Sequence, residues 1–187
     1  MSLPRHTRYD PVAITLHWLV AIVIVCNFAL GVYMHELPLS PWKLKIYSWH
    51  KWAGVSAFLL VALRLAWRRF HTPPPMPESM PAWQRQLAQH GHHLLYLLMF
   101  AVPISGWLMS SALGVQTVYF GALPIPDLLD KDKELGEVLK QVHEALNLGM
   151  AAIVLGHAGA ALKHHYLDRD DVLTRMLPWS KTPRNPQ

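Results

Sequence analysis

Polar and apolar positions are segregated in long blocks along this chain. Four stretches, 12–34, 46–67, 91–112 and 139–162, are largely apolar. Each is close to the roughly 20 residues an α-helix needs to cross a hydrocarbon core. The polar segments between them are too short to fold as separate globular units. The pattern therefore predicts an all-α fold: a four-helix transmembrane bundle, integral to the membrane, in one domain over residues 1–187. Pro11 suits the first turn of the first helix. Arg68 and Arg69 close the second helix, and the proline-rich stretch 72–81 reads as a semi-rigid connector. Trp83, Leu87 and His90 among glutamines predict that 82–93 lies along the membrane surface before the third helix descends. Pro103 and Gly106 are expected to kink that helix. The segment 113–138 reads as a loop of mixed charge with Pro124 and Pro126. The fourth helix should run on to about Asp168.

Composition agrees with this reading. Charged residues make up 16% of the chain, against roughly 25% in soluble domains. Cys26 is the sole cysteine, which excludes a disulfide, a Cys-x-x-Cys centre and haem attachment through C-x-x-C-H. The first stretch has no clear cleavage signal and is expected to remain as a helix. With the N-terminus inside, eleven lysines and arginines fall on the inner side, Arg5, Arg8, Lys181 and Arg184 among them, against six outside. That asymmetry predicts an N-in/C-in topology. The net charge of +5 mostly reflects this topology and gives little reason to expect a nucleic-acid partner.

Histidine changes the picture. The chain has 12, as many as Asp and Glu combined, and ionisable groups at membrane depth are costly and usually functional. With each stretch centred on the bilayer and rising about 1.5 Å per residue, His17 and His157 both fall roughly 9 Å towards the inside. His50 and His143 fall roughly 9–11 Å towards the outside. His143 and His157 lie within about 40° of one face of the fourth helix, roughly 21 Å apart. The small residues beside them, Gly149, Gly156 and Gly159 among others, leave room for a bulky group or another helix. Two depth-matched pairs suit a flat macrocycle with one axial histidine from each of two helices. Haem b meets that description and needs no cysteine. Single intramembrane histidines also serve as helix–helix hydrogen bonds, so pairing by depth is what favours the haem. The spans hold no acidic residue except Glu144, which excludes a carboxylate-bridged di-iron site, and two-histidine pairs make poor zinc sites.

His17-Trp18, His50 with Gly54, Gly91-His92 before Tyr96, His143-Glu144, and Leu155-Gly156-His157 followed by Ala161–Tyr166 resemble the bacterial cytochrome b561 family, as does Leu173–Pro178. The resemblance covers about residues 8 to 178. It implies a dihaem b membrane cytochrome of the bacterial inner membrane, with His17 and His157 binding one haem and His50 and His143 the other. Four-helix members of the family include an enzyme that takes electrons from superoxide at the outer face and passes them to ubiquinone near the inner face. The tail and the His92 and His164 matches make this chain look closest to that member.

The resemblance makes His92 and His164, at headgroup depth, candidates for the ubiquinone site; interfacial contact with membrane lipid is the alternative. Arg64, near inner-haem depth, either pairs with a haem propionate or snorkels. Lys43, Lys45 and Lys51, beside His50, are candidates for guiding superoxide. The acidic residues of 127–137 offset them, and steering would have to be local. His6, His35 and His71 are expected to be solvated. Three readings follow: a superoxide:ubiquinone oxidoreductase, a quinol-linked relay serving a protein redox partner, and a haem-free transporter using the inner histidines.

Overall fold

Short polar residues set where the helices begin. In the computed structural model, which describes residues 8–77 and 80–179, helix α1 spans Pro11–Glu36, α2 Pro41–Phe70, α3 Ala82–Ala112 and α4 Lys133–Lys163. Asp10, Ser40 and Asp132 cap α1, α2 and α4, each accepting a backbone N–H three residues on, so donors that a helix start would otherwise strand are satisfied. Proline at the first position of α1 and α2 has no N–H to strand. Arg5, His6, Lys181 and Arg184 lie outside the described residues.

All four helices outrun their apolar stretches. Segment 82–93 is the first part of α3; Trp83, Leu87 and His90 recur at helical spacing, and Gly91 is the only weak position. One internal glycine costs about 1 kcal/mol, too little to stop a helix. The helix also continues through Pro103. Three segments, Pro11–Glu36, Ala82–Ala112 and Lys133–Asp168, are long and apolar enough to cross a membrane. Helix α2 is as long, but it carries three lysines and three arginines. Trp49, His50, Lys51 and Trp52 confine its continuous apolar run to the following half.

Helix α1 packs mainly on α2 and α3 on α4, with α2 against α3 joining the two hairpins. The core is a column of Val20, Val61, Leu95, Leu98, Met99, Val102 and Met150. Leu19, Ile22, Val25, Leu59, Leu63, Leu97 and Leu155 face outwards. Apolar residues on both the inside and the outside of a bundle are what a lipid solvent requires.

Segment 113–132 is more ordered than a mixed-charge loop. Val118–Tyr119 and Leu123–Pro124 form a short antiparallel hairpin, β1 and β2. Its turn places Phe120 and Gly121 at positive φ, the conformation a tight hairpin turn requires. The hairpin docks on α2: the Trp52 indole donates to the Val118 carbonyl at 2.7 Å, and the Ser56 and Tyr119 hydroxyls meet at 2.8 Å.

At the opposite end, α4 passes into a π-helical turn, His164–Asp168, which ends at Arg169 in the left-handed region. Helical structure thus reaches Asp168. The tail then folds back over α1. The Trp18 indole donates to the Met176 carbonyl at 2.8 Å, Arg8 bonds the carbonyls of Leu177 and Pro178, and Arg175 reaches the Pro75 carbonyl.

Candidate functional site

Three helices, α1, α2 and α4, converge through four histidines. His17 on α1 faces His157 on α4, with ring centres 6.3 Å apart; His50 on α2 faces His143 on α4, also at 6.3 Å. Fourteen residues of continuous helix separate the two α4 members, a rise of about 21 Å. The pairing expected from depth alone is therefore a pairing in space.

The spacing tests which group the pairs fit. Two imidazoles on opposite sides of one metal, each nitrogen about 2 Å from it and about 1.2 Å from its own ring centre, would stand about 6.4 Å apart. The rings are held too far apart for a direct hydrogen bond. A metal at the centre of a flat macrocycle fits both gaps.

Ring orientation supports this at the His50–His143 pair. The Nδ1–H of His50 donates to the Asn27 carbonyl at 3.1 Å, and that of His143 to the Val102 carbonyl at 3.1 Å, with Ser105 Oγ 2.9 Å away. A proton held on Nδ1 leaves the Nε2 lone pair free for a metal. Two glycines allow the rings this close. A Cβ on Gly31 would lie 3.3 Å from His50 Cε1, and one on Gly106 3.0 Å from His143 Cε1. An apolar cavity of about 280 Å³ adjoins the pair, lined among others by Phe28, Phe58, Met99 and Met150.

The His17–His157 pair is built differently. His17 Nδ1 is buried without a hydrogen-bond partner, and a third ring, His92, lies 5.3 Å from His157. Arg64 is a charged neighbour common to His17, His92 and His157. The structure thus brings His92 and Arg64 to this pair. His164 is engaged elsewhere: its Nδ1 lies 2.6 Å from an Asp170 carboxylate oxygen and 3.2 Å from one of Asp168.

The three candidate lysines separate by position. Lys51 lines the cavity beside His50 and donates to the Val115 carbonyl at 2.8 Å, with Asp127 near enough to act on its charge. Lys43 bonds the Leu37 carbonyl at 2.5 Å, and Lys45 sits over the rings of Trp42 and Trp49. Of the three, only Lys51 borders the cavity.

Ser105, the carbonyls of Asn27 and Val102, and Gly31 had no role in the sequence reading, because each acts through a neighbouring helix. Gly106 was legible only as a kink. The helix-four glycines Gly149, Gly156 and Gly159 face open space and admit no neighbouring helix.

Comparison with known proteins matches the family model described as prokaryotic cytochrome b561 over residues 8–179. The chain is 36% identical to cytochrome b561 homolog 2 of Escherichia coli (strain K12), over 91% of each chain. It is 33% identical to the probable superoxide oxidase CybB of Yersinia pestis, over 92% of this chain and 97% of that one. Cytochrome b561 homolog 1 of Escherichia coli (strain K12) is 28% identical, over 93% and 99%.

Proposed function

Because this chain belongs to the prokaryotic cytochrome b561 family, and so to membrane electron transfer, we propose that it holds two haems b and moves electrons from superoxide on one side of the inner membrane to ubiquinone near the other. The observation that carries this reading is the pair of 6.3 Å imidazole gaps. Haem iron, when bound, supplies a one-electron carrier at each gap. The excess of lysine and arginine on the proposed inner side supports an N-in/C-in topology with four crossings, α2 among them.

The chain's own residues define the two ends. With His17 and His157 holding one haem iron and His50 and His143 the other, no position would be left open for dioxygen, and each site would serve electron transfer. Superoxide is an anion, and Lys51 provides positive charge on the wall beside His50; Lys43 and Lys45 are more distant contributors on the same helix end. Two superoxide anions each lose one electron and leave as dioxygen. Ubiquinone takes up the two electrons and two protons and leaves as ubiquinol. His92, beside His157, and His164, paired with Asp170, are the proposed donors to its carbonyl oxygens. The carboxylate fixes the tautomer of His164 with Nδ1 protonated, so Nε2 is the atom through which a proton would pass.

The 33% identity to a probable superoxide oxidase supports this substrate pair. A quinol-linked relay serving a protein partner is the second reading. It is favoured by the exposed acidic and apolar residues around the hairpin, Phe120, Leu123 and Leu128 among them. Stopped-flow mixing of the purified protein with superoxide, with and without ubiquinone, separates the two. Fast haem reduction, followed by reoxidation only when ubiquinone is present, is expected, with slower reduction in Lys51→Ala. Reduction no faster than in His50→Ala would leave the relay reading. A reduced-minus-oxidised spectrum without b-type bands would remove both.

A further inference from the structure

Arg64 and Arg68 lie one turn apart on α2, and both guanidiniums approach the same ring, that of Tyr96 on α3, at 5.7 and 5.9 Å. Cations gathered at the edge of an apolar bundle repel one another, and each attracts an anion strongly because little water screens it. Among the described residues, neither arginine has a carboxylate within ion-pair distance. The Tyr96 hydroxyl is shielded from solvent and has no hydrogen-bond partner among those residues. Three donor groups thus gather around one ring, with no carboxylate acceptor among the described residues.

The missing partner must be anionic and must offer several oxygen acceptors. A carboxylate meets both needs, because its two oxygens match the fork of a guanidinium and still accept from a hydroxyl. Arg64 ties the cluster to the His17–His157 pair, since its charge acts on both rings. A haem held by that pair carries propionates on its edge. A lipid phosphate could reach the exposed Arg68, but the half-buried Arg64 and the shielded Tyr96 hydroxyl favour a group already inside the bundle.

We propose that Arg64, Arg68 and Tyr96 form a carboxylate-binding site whose ligand is a propionate of the haem between His17 and His157. This rests on the haem reading above. Arg68 and Tyr96 then act as binding residues, and Arg64 bridges the metal-binding pair and the propionate.

The test uses the full-length protein purified with haem labelled with ¹³C at the propionate carboxyls, examined by redox-difference infrared spectroscopy. Arg64→Gln, Arg68→Gln and Tyr96→Phe are each expected to shift the label-sensitive carboxylate bands. Arg69→Gln, with no contact to Tyr96, should leave them in place. Tyr96→Phe keeps the ring and deletes only the hydroxyl, so it remains informative if an arginine variant fails to fold. Bands identical in the wild type and in every variant that retains both haems would overturn the proposal while leaving the haem reading intact. Wild-type protein with no haem would overturn both.

Discussion

His143 shows how much of a binding residue lies outside the residue itself. Its ring is aimed by the Val102 carbonyl and by Ser105, and it packs tightly over Gly106, where a side chain would crowd it. Gly106→Ala places a Cβ about 3.0 Å from His143 Cε1, so the ring or the helix must shift. The haem-to-protein ratio is expected to fall from two towards one, while Gly149→Ala, which meets open space, leaves it unchanged. His17→Ala and His143→Ala should each remove one haem, and a different one. Pyridine haemochrome assay against protein concentration measures all four variants. The four histidines were legible from sequence because a helix rises uniformly and converts residue number into depth. Ser105 and the Asn27 carbonyl were not, because their roles depend on which helix stands opposite.

At the scale of elements, the start of α1 also holds the end of α2. Asp10 caps α1 through Ala13 N–H at 2.9 Å and accepts the Trp67 indole at 3.1 Å. Burial alone would raise the Asp10 carboxyl. The Ala13 and Trp67 bonds, with His71 nearby, outweigh it and hold the group below the usual carboxylate range. A lowered native pKa stabilises the fold above the ordinary value of 3.8, and that contribution is lost as pH falls through the lowered one. Asp10→Ala should cost about 1 kcal/mol at neutral pH, the usual worth of a cap, and less in acid. Thermal unfolding in detergent at pH 7 and at acid pH checks both the size and the sign.

The hairpin is the element the sequence concealed. Two-residue strands are too short to show alternation, and Gly121 is an isolated turn signal. Its order comes from α2, through Trp52 and Ser56. Trp52→Phe keeps an aromatic ring but removes the indole donor. Amide hydrogen exchange across 118–124 is expected to accelerate, with α3 and α4 unaffected.

For the molecule as a whole, the two histidine pairs sit in unlike surroundings, and for the proposed haems that difference would set a direction. On the haem reading, the carbonyl acceptors on His50 and His143 would make those imidazoles stronger donors and favour the oxidised metal. Arg64 near His17 and His157 would favour the reduced one, whereas the Lys51 charge beside His50 is offset by Asp127. The haem of the His50–His143 pair is therefore expected to have the lower reduction potential, so that electrons run downhill towards His17 and His157. A potentiometric titration followed at the α-band, repeated on His143→Ala, assigns the two steps. Loss of the higher-potential step in that variant would reverse the order.

Sequence alone determined that there are four long helices and how far along them the four paired histidines lie, because both follow from local rules: apolar length against membrane thickness, and a constant rise per residue. It also carried the family, through motifs spaced along almost the whole chain. What only the tertiary structure decided is what lies across from each residue. Four histidines became two gaps of equal width, Lys51 alone of the three candidate lysines came to border a cavity, and Arg64, Arg68 and Tyr96 gathered with no carboxylate acceptor among the described residues. These are relations between helices distant in sequence, fixed by packing, and no pattern along one helix encodes them.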